Sequence, residues 1–94
     1  MLQPVQPDYY YNPKPRYPTT AQKHGWQGTT LLHIEVQPSG EAGKIEVAQS
    51  SGYSLLDNAS IEAVRSWKFV PARLGDRAIS GTVEVPITFK LVTN

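Results

Sequence analysis

Thr82-Val83-Glu84-Val85-Pro86-Ile87-Thr88-Phe89-Lys90-Leu91-Val92 is the stretch that decides the fold. Val83, Val85, Ile87, Phe89 and Leu91 fall at every second position, so an extended backbone places all five apolar side chains on one face. A proline inside such a run ordinarily argues against a strand, because it has no N–H to give to the ladder. Here the alternation is too regular to set aside, and Pro86 marks an edge strand instead. Residues that share a face of a strand also send their N–H and C=O groups to the same side. The apolar set therefore bonds the inner neighbour, while Glu84, Pro86, Thr88 and Lys90 face the open edge, where Pro86 omits one outward donor. Charges and a proline on an edge are also a standard defence against unwanted pairing. At this level a defended edge and an edge reserved for a partner read alike.

Upstream, two further runs carry the same period. Gly28 to Gln37 alternates Thr30, Leu32, Ile34 and Val36 with Leu31, His33 and Glu35, and Lys44 to Ser50 sets Ile45 and Val47 against Lys44, Glu46 and Ala48. The turn residues Pro38-Ser39-Gly40-Glu41-Ala42-Gly43 join them as a hairpin. Between that hairpin and the last strand the period changes. Leu56, Ala59, Ala63, Val64 and Trp67 follow helical spacing, with Ser54 placed as N-cap and Asp57 three positions on in a capping-box arrangement. Val70-Pro71 is expected to stop this helix, leaving Trp67 and Phe69 as aromatic anchors at its end. Leu74 to Gly81 reads as a polar loop. A short helix over Thr19 to His24 precedes the first strand, opened by Pro18, with Tyr17 as an apolar staple and Gly25 as its left-handed stop. The predicted fold is a single α+β domain in the order α-β-β-α-β, a three-stranded antiparallel sheet packed against two helices with the last strand at an open edge.

Prolines 4, 7, 13, 15 and 18 crowd the start, so residues 1–12 read as a Pro-rich linker remnant and residues 13–94 as the domain. The three tyrosines 9, 10 and 11 read as linker residues. Met1-Leu2-Gln3-Pro4 has neither the basic start nor the apolar stretch of a signal peptide, and Met1 is expected to begin a fragment whose targeting information lies upstream. No apolar run reaches the length needed to span a bilayer.

Nine basic and eight acidic residues give a net charge of +1 with no basic cluster, which speaks against nucleic acid as a partner. There is no cysteine, which excludes a disulfide scaffold and a cysteine-based zinc site. His24 and His33 are the only histidines, and no H-x-x-x-H motif or nearby carboxylate cluster supports metal ligation. Ser50-Ser51-Gly52 is turn chemistry rather than a nucleophile elbow, and Glu62 and Asp57 are helix-surface and capping residues. The expectation is no enzyme, no metal and no cofactor.

Taken together, the residues resemble a family. Asn12-Pro13-Lys14-Pro15-Arg16-Tyr17-Pro18, Gly28-Thr29-Thr30-Leu31-Leu32-His33-Ile34, Ser50-Ser51-Gly52, Leu55-Leu56-Asp57, Ala63-Val64-Arg65-Ser66-Trp67-Lys68-Phe69-Val70-Pro71-Ala72 and Val85-Pro86-Ile87-Thr88-Phe89 resemble, in order and spacing, the C-terminal domain of TonB proteins. The resemblance implies a periplasmic domain whose full-length protein is anchored in the inner membrane of a Gram-negative bacterium, with residues 1–12 as the end of its periplasmic spacer. It implies coupling to ExbB and ExbD through an N-terminal anchor. It further implies strand addition of the TonB box of outer-membrane TonB-dependent transporters, with contacts to their plug. Carried onto this chain, the partner-binding edge strand is Thr82, Val83, Glu84, Val85, Pro86, Ile87, Thr88, Phe89, Lys90 and Leu91. The partner-binding pre-helix segment is Lys14, Pro15, Arg16, Tyr17 and Pro18. A TolA-like interaction domain, or a homodimer formed through the same edge, is the alternative.

Overall fold

The computed structural model describes residues 1–7 and 11–92. Its main sheet is antiparallel, with β3 (Gly28–Val36) in the centre, β4 (Ala42–Gln49) on one side and β8 (Gly81–Phe89) on the other. Leu32 stands opposite Val85 and Leu31 opposite Pro86. Thr30, Leu32, Ile34 and Val36 are wholly buried, and Val85, Ile87 and Phe89 nearly so. Both sets share the sheet face that meets the helices, where Ala21, Leu56 and Val64 complete the core. The alternation read from the last strand is thus the alternation of its burial. Beyond the strand's end Leu91 is still half-buried, and its N–H reaches back to the Gln27 side chain at 2.8 Å, on the β3 side. Among the described residues β8 has only β3 as a neighbour in this sheet, so its other edge is open.

Helix α1 spans Thr19–His24 and ends on Gly25 at φ 70°. Tyr17 is not a staple on that helix. Its ring packs edge-on against Phe89 at 5.2 Å and its hydroxyl donates to the Trp26 carbonyl. His24, the last helical residue, stacks on Trp26, which stacks in turn on Tyr53. His33 lies half-buried on the outer sheet face, 3.7 Å from Glu84 across the strand pair.

Helix α2 spans Ser54–Val64, with Tyr53 at the cap position and no side-chain capping bond. The expected capping box does not form, because Asp57 is engaged elsewhere. Its carboxylate accepts from Thr30 Oγ1 at 2.7 Å, from the Ser51 N–H at 2.9 Å, from Ser51 Oγ at 2.8 Å and from Ser50 Oγ. Burial pushes the Asp57 carboxyl up, but the hydrogen bonds from Ser50, Ser51 and Thr30 outweigh it and hold the group below the ordinary carboxylate range. The Ser50-Ser51-Gly52 turn is therefore a clamp that ties α2 to the central strand.

The helix also stops earlier than the spacing predicts. After Val64 the chain turns through Arg65 and Ser66 and becomes extended, with Trp67, Phe69 and Ala72 buried and Lys68 and Val70 exposed. Trp67 and Phe69 sit two apart on one face, which a helix cannot provide and an extended chain does. Phe69 is fixed by its N–H to the Gly40 carbonyl at 2.9 Å. Gly40, at φ 90° in the β3–β4 turn, approaches so closely that a Cβ there would stand 2.4 Å from the Phe69 carbonyl oxygen. Strands β5 (Phe69–Val70), β6 (Ala72–Leu74) and β7 (Arg77–Ile79) follow, so the expected polar loop is a hairpin, with Arg73 paired to Ala78.

The leader departs most from a linker. β1 (Leu2–Gln3) pairs with β6 and β2 (Gln6–Pro7) with β5, Leu2 facing Leu74 and Gln6 facing Val70. Val5 between them is only 7% exposed and belongs to the core. Farther on, the Tyr11 carbonyl accepts from Lys68 N–H at 3.2 Å and the Pro13 carbonyl from Trp67 Nε1 at 2.8 Å. The described parts of the leader thus run antiparallel to residues 67–74. Tyr9 and Tyr10 lie outside the described residues.

Candidate functional site

The edge strand and the pre-helix segment, at opposite ends of the chain, form the two walls of one cleft of about 370 Å³. Asn12, Lys14, Pro15 and Tyr17 make one wall, Pro86 to Lys90 the other, and Trp67 lies between. Three contacts fix this arrangement. Trp67 holds Pro13 through its indole N–H, Tyr17 leans on Phe89, and Tyr17 is pinned by the Trp26 carbonyl. Each aromatic therefore buries a ring and spends its polar end on the backbone.

Lys14, Pro15, Tyr17, Pro86, Ile87, Thr88, Phe89 and Lys90 are brought together here, whereas Arg16, Pro18, Thr82, Val83, Glu84, Val85 and Leu91 do not line the cleft. Arg16 is exposed beside it, and Pro18 caps α1. Thr82, Val83, Glu84 and Val85 continue the open edge beyond the cleft, whereas Leu91 follows the strand's end.

Within the strand, Ile87 and Phe89 point into the core while Glu84, Pro86 and Thr88 are exposed, as is Lys90 just past its end. Thr88 is tied across to Thr29 by their hydroxyls at 3.0 Å, which steadies the edge from the outer face. Lys14 and Lys90 are exposed, and no acidic residue lines the cleft, so its rim is positive over an apolar and aromatic interior. Such a surface suits an extended peptide that carries a negative charge. Two lining residues, Asn12 and Trp67, were not among the sequence-predicted site residues. Trp67 has the composition of a core anchor, and Asn12 sits in a leader that lacks any periodic signal.

Among the described residues no group of three or more His, Cys, Asp or Glu side chains could hold a metal ion. Among the described residues no helix is long and apolar enough to cross a membrane.

The sequence profile of the family described as Gram-negative bacterial TonB protein C-terminal matches residues 13–91. The chain is 51% identical over 83 residues to the protein called Protein tonB2 of Pseudomonas aeruginosa, covering 88% of this chain and 31% of that protein. It is 37% identical over 78 residues to Protein TonB of Vibrio cholerae, covering 83% of this chain and 32% of that one. The chain thus spans about a third of the length of these curated relatives. In fold it is similar to the solution structure of the Pseudomonas aeruginosa TonB C-terminal domain, with a TM-score of 0.77, 23% identity, and coverage of 96% of this chain and 89% of that one. The Helicobacter pylori TonB C-terminal domain gives a TM-score of 0.63 at 23% identity, covering 84% and 71% respectively. The profile match and the identity to the Pseudomonas relative place the chain in the TonB C-terminal domain family, a family of interaction domains without enzymatic activity.

Proposed function

We propose that this domain docks a short extended segment of an outer-membrane TonB-dependent transporter, its TonB box, as an added strand along the open edge of β8. The pre-helix wall meets the transporter plug. In the full-length protein, anchored in the inner membrane and coupled to ExbB and ExbD, this contact passes proton-motive-force energy to the uptake of siderophores, haem, cobalamin or similar nutrients. The domain itself works in the periplasm.

One observation carries the reading. Lys14, Pro15 and Tyr17 from one of the segments assigned to the partner, and Pro86 to Lys90 from the other, line a single cleft beside the strand edge that β3 leaves unpaired. Strand addition draws its affinity from main-chain bonds and its selectivity from alternate side chains. Roughly four to six such bonds at about 0.5–1.5 kcal/mol each must offset the ordering of a flexible peptide and its lost rigid-body freedom. The expected dissociation constant is on the order of micromolar, which suits a contact that must release. Backbone-amide NMR with a synthetic TonB-box peptide tests it. Shifts concentrated at Thr82 to Leu91 and Lys14 to Tyr17 support docking at this edge, and shifts scattered over α2 and β4 count against it.

A further inference from the structure

A strand added at the open edge of β8 carries its side chains in the same two-sided order as the sheet it joins. Residues directly opposite one another in paired strands share a face, whichever way the added strand runs. Thr30 and Ile87 are such a pair within the sheet, both buried on the helix face. A partner residue opposite Ile87 therefore faces the helix layer. Its two neighbours face the outer side, where the Thr29 and Thr88 hydroxyls share a hydrogen bond.

The cleft lies on the helix side of that edge. Ile87 and Phe89 line it from β8, Tyr17 from the pre-helix segment and Trp67 from between them, and all four belong to the core or pack against it. The polar ends of the two large rings are already spent, the Tyr17 hydroxyl on the Trp26 carbonyl and Trp67 Nε1 on the Pro13 carbonyl. The Asn12 Oδ1 is shut off from solvent and offers the cleft no acceptor. Lys14 and Lys90 are exposed at the rim, where their charges stay in water. A polar side chain pushed into this interior loses its water with little to replace it, whereas a large apolar one gains by leaving water. At about 370 Å³ the cleft is at the small end for ligand pockets, with room for one large side chain rather than several.

We infer that this cleft is a side-chain subsite for the partner residue opposite Ile87, and that it takes a large aliphatic or aromatic side chain. This rests on the docking reading above and fixes where along the partner the selectivity lies. Main-chain bonds along β8 accept many sequences, whereas the subsite accepts one class of residue at one position. The residues on either side face outward and are free to be polar. The segment it selects therefore sets one large apolar residue among polar ones, with its negative charge near the rim lysines rather than in the interior.

A test that varies the peptide leaves the domain intact. Short palindromic host peptides, with glutamate at both ends, threonine between and one guest residue at the centre, read the same in both strand directions. Backbone-amide NMR titration of the natural chain gives their affinities. Leucine and phenylalanine guests should bind about tenfold tighter than alanine or asparagine guests. Guest side-chain protons should show NOEs to the Tyr17 and Trp67 rings. Equal affinity across the guests, or guest NOEs to Thr29 or His33 on the outer face, overturns the subsite and leaves docking intact. So does a synthetic TonB-box peptide that shifts the β8 amides while no apolar guest does. A TonB-box peptide that leaves the β8 amides unmoved overturns docking, and the subsite with it.

Discussion

Thr30 Oγ1, wholly buried on the central strand, lies 2.7 Å from Asp57 Oδ1 on the second helix. This bond joins the sheet to the helix at one point, and the Ser50-Ser51 turn closes on the same carboxylate. Asp57→Asn removes the charge and halves the accepting capacity, so it should cost about 1–2 kcal/mol of stability at neutral pH.

The pH dependence has a definite sign. The Asp57 carboxyl is held below its ordinary value in the folded state. Its contribution is therefore complete above the unfolded carboxylate value of about 3.9 and fades as pH falls through the lower folded value. Urea titrations at neutral pH and in the acid range should show the gap between the natural chain and Asp57→Asn shrinking with acidification. A constant gap down to the acid limit would show that the carboxylate charge is not what the clamp uses.

Val5 is a buried side chain of the leader, and its Cγ2 would stand 2.9 Å from a Cβ placed on Gly81. Val5→Ala should cost about 1–2 kcal/mol. It should also raise amide exchange in β5 and β6, the strands that the leader pairs with. Unchanged stability and exchange would mean that residues 2–7 do not hold this position in solution.

Gly40→Ala faces two obstacles at once, a left-handed backbone and the Phe69 carbonyl oxygen 2.4 Å from the new methyl. A loss of about 2 kcal/mol or more is expected from denaturant midpoints. A loss below half of that would show that the β3–β4 turn can move away from Phe69 at little cost.

The positive rim of the cleft makes a prediction about rate rather than fold. Lys14 and Lys90 are both exposed, so Lys14→Glu with Lys90→Glu should leave the melting temperature nearly unchanged. Association with an acidic plug peptide should slow about five- to tenfold at low salt, and the difference should narrow as salt screens the charges. A slowing that is independent of salt would place the defect in shape rather than charge.

How much of this was legible depended on whether a residue's role has a period. Val83, Val85, Ile87 and Phe89 gave the edge strand and its buried face directly, because alternate burial is written in alternate residues. Pro86 gave the open side by the same reasoning. Trp67 and Phe69 misled, since Trp67 fits the helical series from Leu56 through Val64 and only the two-residue step to Phe69 betrays an extended chain. Asp57 stands at capping-box distance from Ser54, yet its donors Thr30 and Ser50 come from elsewhere in the fold, where local spacing has no reach. Val5, alone between Pro4 and Gln6, belongs to no pattern, and strands of two residues leave none. Asn12 is harder still, because it stands among prolines without a period and only the fold brings it to the cleft.

The last strand does two things at once. Gly28 stands opposite Phe89, so almost the whole chain must be in place before β8 can close the sheet. The same closure creates the cleft, with residues from both ends of the sequence as its walls. A chain clipped within β8 should therefore lose its fold and the edge proposed for docking in a single step, so that a damaged copy would drop out of competition with intact ones.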